Sequence, residues 1–199
     1  MSDSVVHLID DDEDVRRAVS FLLSTAGFAV KVYESAILFL EKCSSHSTGC
    51  IVSDVRMPGM DGLQLLRRLK EVGIGMPVVI LTGHADVALA VEAMKAGATD
   101  FIEKPFSDDV LLDAISSALV RHSGNLSESE TSQVRARLAS LTQREREVLD
   151  GLLAGHPNKT IAYDLGLSPR TVEIHRANVM TKMSASSLSE LVRMTLSVS

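Results

Sequence analysis

Cysteine is scarce: Cys43 and Cys50 are the two in 199 residues. Two thiols are too few for a disulfide scaffold, and their spacing fits no zinc-binding pattern. Both are expected to be reduced, as in a cytoplasmic protein, and to behave as small core hydrophobes rather than as a redox switch. Long apolar runs are missing too. None reaches the roughly 18 residues that span a bilayer, so no membrane partner is expected. The opening Met1-Ser2-Asp3-Ser4 lacks the basic segment that begins a secretory signal. A basic excess is also lacking: 20 Lys and Arg stand against 26 Asp and Glu, a net charge of −6. That balance argues against a nucleic-acid binder until the chain is divided. Residues 1–122 hold 11 basic against 18 acidic side chains, whereas residues 123–199 hold 9 against 8. The acidity therefore belongs to the first part. Within the second, Asn158–Met183 carries Lys159, Arg170, Arg176 and Lys182 against two acids, a modest positive footprint.

The patterning divides at the same place. Short apolar runs at Val5–Ile9, Ala29–Tyr33, Cys50–Ser53, Pro77–Leu81 and Thr99–Ile102 suit buried parallel strands. Between them, amphipathic patterns predict helices over Asp14–Ala26, Ser35–Lys42, Gly62–Val72, Ala85–Ala96 and Ser107–His122. Gly27, Gly73 and Gly97 stand where helices should end, and Ser35 and Ser107 where they should be capped. Five strand–helix repeats imply a doubly wound, five-stranded parallel α/β domain over residues 1–122. Ser123–Ser132 has almost nothing to bury and reads as a linker. The linker extends to residue 140, with helical spacing open over Gln133–Ser140. Residues 141–199 read as all-helical. Thr142-Gln-Arg-Glu145 is a capping box opening one helix, and Asn158 is expected to cap a second, to Leu165. Gly166-Leu167-Ser168 forms a turn, Ser168 and Pro169 open a third helix to Met183, and a fourth spans Leu188–Leu196. Two helices joined by a short glycine-containing turn make a helix-turn-helix.

In open α/β sheets, ligands bind beyond the carboxyl ends of the strands. Asp10 and Asp11 follow the first strand, Asp54 ends the third, Thr82 follows the fourth and Lys104 the fifth. Crowded carboxylates need a counterion, and an all-oxygen cluster with room for water favours Mg²⁺. A carboxylate facing a metal and a lysine is a sound phosphoryl acceptor. Each piece also fits a plain structural role: an acidic helix entry, a strand exit with a turn, a surface lysine before a proline. Their coincidence at three strand ends favours chemistry.

Ile9-Asp10-Asp11-Asp12, Ser53-Asp54-Val55-Arg56-Met57-Pro58-Gly59-Met60-Asp61-Gly62, Leu81-Thr82-Gly83-His84 and Phe101-Ile102-Glu103-Lys104-Pro105-Phe106 together resemble the motif set of receiver domains, which have the flavodoxin-like fold. The stretch from Leu141 to Met183 resembles the four-helix LuxR/GerE-type DNA-binding domain. The pairing is similar to two-component response regulators of the FixJ/NarL family. The resemblance implies Asp54 as the phosphorylation site. Mg²⁺ would be held by Asp11, Asp54, the Arg56 carbonyl and, through water, Asp10. It also implies that Lys104 bridges to the phosphoryl group and that Thr82 moves toward it, vacating space for Phe101. A cis Lys104–Pro105 bond would aim the lysine inward. The responding surface would be the helix after Thr82, the fifth strand and the last helix of this domain, with Val91, Lys95 and Ile102 as homodimer contacts. Further implied partners are a sensor histidine kinase of the FixL kind, nitrogen-fixation promoters in double-stranded DNA, and RNA polymerase. No enzyme activity is expected beyond accepting and losing the phosphoryl group.

In the third helix of the second domain, Val172, Val179 and Met183 mark the inward stripe. His175, near it, is read as packing or phosphate-facing. The opposite face carries Arg170, Glu173, Ile174, Ala177 and Thr181. Glu173 can accept from cytosine N4, and Ile174 and Ala177 can pack on thymine methyls. Arg170, Thr171, Arg176, Lys182, Asn158 and Lys159 are expected on phosphates, where they position without reading sequence. Two other classes stay in view: a phosphatase-like enzyme using the same aspartate, and a phosphate-independent docking module.

Overall fold

The computed structural model describes residues 5–44, 46–83, 87–122 and 128–198. His84 and the start of the helix expected from Ala85 lie outside the described residues, as do residues 123–127 of the expected linker. The described chain forms two compact units. One comprises residues 5–83 and 96–122, and the other residues 87–95 with 128–198.

In the first unit five strands, β1 (Val5–Ile9), β2 (Ala29–Tyr33), β3 (Cys50–Asp54), β4 (Val78–Thr82) and β5 (Asp100–Glu103), pair in parallel in the order β2-β1-β3-β4-β5. The helices are α1 (Glu13–Thr25), α2 (Ala36–Lys42), α3 (Gly62–Glu71), α4 (Val87–Ala96) and α5 (Asp108–His122), of which α4 groups with the second unit. Local chemistry fixes their ends. Asp12 caps α1, Ser35 caps α2, and Asp61 and Gln64 form a capping box on α3. Gly27, Gly73 and Gly97 take φ of 88, 72 and 106° just past α1, α3 and α4, a conformation in which a side chain would clash with its own backbone. Strand alternation then sorts the side chains. Val6, Leu8, Cys50, Val52, Val79, Leu81 and Ile102 turn to one face of the sheet and pack with Val19 and Leu23 of α1 and Leu111, Ala114, Ile115 and Ala118 of α5. Each fully buried Leu or Ile contributes about 1.5–3 kcal/mol. On the other face His7 is buried with Tyr33 and Phe39, its ring centroid 5.9 and 5.5 Å from theirs.

The second unit contains α6 (Glu128–Ala139), α7 (Gln143–Leu153), α8 (Asn158–Leu165), α9 (Pro169–Met183) and α10 (Leu188–Leu196). Val134, Leu141, Val148, Leu149, Leu152, Ile161, Ala162, Val172, Val179, Met183 and Leu191 form its core. One sequence expectation, the Asn158 cap, needs correction here, and two others are located by the structure. Within the 123–140 linker, α6 starts at Glu128, before the Gln133 from which helical spacing is read. Asn158 does not cap α8. Pro157 is the N-cap, extended at ψ 155° and without a side-chain bond, and Asn158 is the first helical residue. Val91 and Ile102, expected as dimer contacts, are 3% and 6% exposed in this chain; Ile102 lies on the inward side of β5, within the sheet core.

Candidate functional sites

The parallel register brings the ends of β1, β3, β4 and β5 to one edge. Two backbone bonds pin that edge: Val55 N–H donates to Leu81 O at 2.8 Å, and Lys104 N–H to Thr82 O at 2.6 Å. The Lys104–Pro105 bond is cis. Asp10 and Asp54 are buried, 2% and 8% exposed. Between them lies the Lys104 ammonium, donating to Asp10 Oδ2 at 2.9 Å and Asp54 Oδ1 at 2.6 Å. Burial, the largest single influence on Lys104, pulls its pKa down, but the bonds and charges of Asp54 and Asp10 together outweigh it and hold it above the usual range. The ammonium is therefore fully charged at neutral pH.

The second oxygen of Asp54, Oδ2, accepts from the Arg56 backbone N–H at 2.6 Å, so the carboxylate is held at both ends. The turn after β3 is shaped by Gly62, where a Cβ would sit 2.8 Å from Asp54 O and 3.0 Å from Val55 Cα. Only a residue without a side chain lets α3 begin this close beneath Asp54. Asp10 is oriented from two directions: its Oδ1 accepts from Asp12 N–H at 2.9 Å, and its carbonyl accepts from the Arg16 guanidinium at 2.7 Å. Arg16 carried no sequence signal beyond its place on an amphipathic helix. Asp11 is exposed. Among the described residues, no three His, Cys, Asp or Glu side chains converge closely enough to hold a metal ion. The donors at hand are nevertheless all oxygen. That suits Mg²⁺, which keeps several waters and binds through one or two carboxylates plus phosphate oxygens. Thr82 is fully buried at the end of β4, Phe101 is half-buried in β5 and Lys95 is exposed near the end of α4.

The helix pair of the second unit turns at Gly166, left-handed at φ 64°. Ser168 then caps α9, accepting from Thr171 N–H at 3.1 Å, and the two hydroxyls lie 2.8 Å apart. Val172, Val179 and Met183 are wholly buried. Arg170, Glu173, Ala177 and Thr181 are exposed, and Ile174 is 55% exposed. The face expected to enter a groove is thus presented to solvent. Lys159 is exposed, while Arg176 and Asn158 are half-buried. The Asn158 Oδ1 and His175 Nδ1 are buried without a partner among the described residues. Lys182 is placed differently from the expected phosphate contact. Its ammonium donates to Glu145 Oε2 at 2.7 Å, and Glu145 is 4% exposed. Lys182 first, and then the Thr142 backbone N–H, hold the Glu145 carboxyl down at about 2. The capping box was legible in the sequence; a pairing across 37 positions was not.

Comparison with known proteins agrees with this geometry. Residues 6–116 match the response regulator receiver domain and residues 139–195 the luxR family of bacterial regulatory proteins. The chain is a response regulator that joins a receiver to a LuxR-type DNA-binding domain. It is 52% identical to the transcriptional regulatory protein FixJ of Rhizobium meliloti (strain 1021), over 98% of this chain and 97% of that one. The response regulator TodT of Pseudomonas putida is 42% identical, over 98% of this chain and 87% of that protein. Among solved structures, full-length FixJ from B. japonicum is 49% identical, with a TM-score of 0.58, covering 100% and 98% of the two chains. The chain belongs to the FixJ family of transcriptional regulators, and its DNA-binding activity is gated by phosphorylation.

Proposed function

We propose that Asp54 receives the phosphoryl group from a phosphohistidine of a FixL-like sensor kinase, and that the phosphorylated chain dimerises on nitrogen-fixation promoters and activates RNA polymerase there. The observation that carries this reading is the Asp54–Lys104 contact at 2.6 Å, between a buried carboxylate and an ammonium aimed at it from a different strand. An Asp54 carboxylate oxygen forms the new P–O bond as the P–N bond of phosphohistidine breaks, and the imidazole leaves with the electron pair. Lys104 balances charge on the phosphoryl oxygens throughout. Asp11, Asp54, the Arg56 carbonyl and, through water, Asp10 would hold Mg²⁺, which supplies further neutralisation of those oxygens. In a separate step, water attacks the phosphorus of the acyl phosphate, the Asp54 O–P bond breaks, and inorganic phosphate leaves; this returns the resting carboxylate and limits the lifetime of the signal.

The phosphoryl group brings strong acceptor oxygens. Thr82, next to this edge at the end of β4, donates its hydroxyl to one of them. Phe101 follows into the space left, and the face of α4, β5 and α5 is remodelled for pairing. Since Val91 and Ile102 are buried in the resting chain, their exposure is part of that change, whereas Lys95 is already accessible. Paired chains read two half-sites about one helical turn, or a multiple of it, apart. Glu173, Ile174 and Ala177 contact bases, while Arg170, Thr171, Arg176, Asn158 and Lys159 contact phosphates. The chain works in the cytoplasm; among the described residues no helix is long and apolar enough to cross a membrane.

The test is sedimentation and DNA affinity measured together, with and without beryllofluoride and Mg²⁺, for the native chain and Asp54→Asn. The expected result is dimerisation and tighter binding in the native chain alone. Equal behaviour of the two chains would refute control through Asp54.

A further inference from the structure

The match to the luxR family begins at residue 139 and the receiver match ends at residue 116, so α6 lies between them apart from its last residue, Ala139. It is nonetheless built into the second unit. Val134 is 8% exposed within the helical core, and Leu138, one turn on, packs against the same core. From α7, the Arg146 guanidinium donates to Leu138 O at 3.0 Å. From the last turn of α6 itself, the Arg137 guanidinium donates to Met183 O at 3.0 Å. Met183 is the final residue of α9.

The end of α9 needs help. The last carbonyls of a helix have no partner within it, and here the chain leaves through Ser184, left-handed at φ 54°. Among the described residues, Ser184 is the non-glycine residue with positive φ, a conformation that costs a side-chain-bearing residue more than it costs glycine. The carbonyls of Met180 and Thr181 accept from Ala185 and Ser184 N–H. The Met183 carbonyl takes Arg137, whose charge also suits the negative end of the helix dipole. One residue earlier, Lys182 ties the same turn to Glu145 of α7. Two cationic tethers, one to α6 and one to α7, thus fix the exit of the helix that faces DNA.

We propose that α6 is a working part of the DNA reader and that Arg137 is a positioning residue for α9, setting the pitch at which Glu173, Ile174 and Ala177 enter the groove. The inference rests on α9 being the reading helix. A reading face has to be held within about 0.5 Å of its productive geometry, so a loosened C-terminal turn costs affinity for the specific site without removing any phosphate contact. Arg137→Ala should therefore weaken binding to a duplex selected by the native chain about tenfold, the loss of one charge-assisted bond. The slope of log affinity against log salt should stay the same.

The experiment is fluorescence anisotropy on the full-length chain treated with beryllofluoride and Mg²⁺, between about 50 and 200 mM salt. The probes are the selected duplex and a scrambled one. The second variant is Arg137→Ala combined with Ser184→Gly, which eases the left-handed exit and firms the same turn by another route. The expected result is a loss confined to the selected duplex, an unchanged slope and partial recovery in the double variant. A slope shallower by about 0.9 would make Arg137 a direct phosphate contact and overturn the proposal. So would unaltered affinity, an equal loss on both duplexes, or a double variant no better than Arg137→Ala. Failure of the native chain itself to bind the selection pool would instead remove the DNA-reading assignment of α9.

Discussion

Replacing Lys104 by methionine keeps most of the side-chain volume and removes the charge between two buried carboxylates. Its ammonium lies 2.9 Å from Asp10 Oδ2 and 2.6 Å from Asp54 Oδ1. Those oxygens are therefore no more than about 5.5 Å apart, where two unit charges at an effective dielectric of about 20 repel by about 3 kcal/mol. Removing one partner from a buried ion pair has a cost of the same size, about 3–5 kcal/mol. Lys104 titrates above its ordinary 10.5, so its contribution is complete at pH 7 and is lost only as pH rises through that higher value. Urea unfolding at pH 7, followed by far-UV circular dichroism, should show Lys104→Met about 3 kcal/mol less stable in the receiver transition. Two further measurements isolate the cause. Lys104→Met with Asp54→Asn retains one carboxylate and should recover most of the loss. Mg²⁺ should stabilise Lys104→Met more than the native chain, since a ligand at a hundred times its dissociation constant adds about 2.7 kcal/mol. A Lys104→Met chain as stable as the native one, or a double variant no more stable than the single one, would refute the ion-pair origin of the loss.

A second pH-linked prediction concerns Glu145, held at about 2 against an ordinary 4.5. A depressed carboxylate stabilises above its ordinary pKa and loses that contribution as pH falls from there toward 2. Glu145→Gln should therefore lower stability at neutral pH by about 1 kcal/mol, modest because Lys182 is partly in water. The gap to the native chain should close by about pH 2, and an equal difference at pH 7 and pH 3 would contradict the ion pair as its source. For the cysteines, burial pushes the Cys50 thiol up to about 12, while Cys43 is partly exposed. A thiol reagent at pH 8 should label Cys43 in the folded chain and reach Cys50 only in denaturant; rapid labelling of both would show that β3 opens readily.

The sheet and its acidic edge were legible because both rest on local rules. A run such as Cys50–Asp54, three apolar residues followed by Ser53 and Asp54, suits a buried strand ending at a ligand edge. The strands β1, β3 and β5 bring Asp10, Asp54 and Lys104 to one edge of the sheet. What escaped was set by packing across the chain. Val91 and Ile102 stand on the elements expected to respond to phosphorylation, but which side of β5 is inward depends on register against β4, and Leu81 opposite Ile102 fixes it. Arg16, whose guanidinium steadies the Asp10 carbonyl, reads in sequence as an ordinary helix-surface arginine. Asn158 followed the preference of asparagine for helix caps, yet Pro157, already extended at φ −68°, takes that position and moves asparagine into the first turn.

The same distinction bears on how tightly one copy can hold DNA. Residues 123–199 contain nine basic side chains. Arg137 and Arg146 are spent on the carbonyls of Met183 and Leu138, and Lys182, Arg144 and Arg193 on Glu145, Glu147 and Glu190. Arg135, Lys159, Arg170 and Arg176 remain as the charge that can meet phosphates, with Arg170 drawn weakly toward Glu173 at 4.0 Å. At about 0.9 in the salt slope for each phosphate neutralised, four such charges support only a shallow, weak association. With five of its nine basic side chains engaged within the chain, one copy is expected to bind DNA weakly. Pairing of two readers through the receivers, as proposed above, would double the phosphate contacts and make the second half-site an intramolecular encounter. A reading head with few charges free for phosphates gains most from a switch that controls pairing, which is the role proposed above for Asp54.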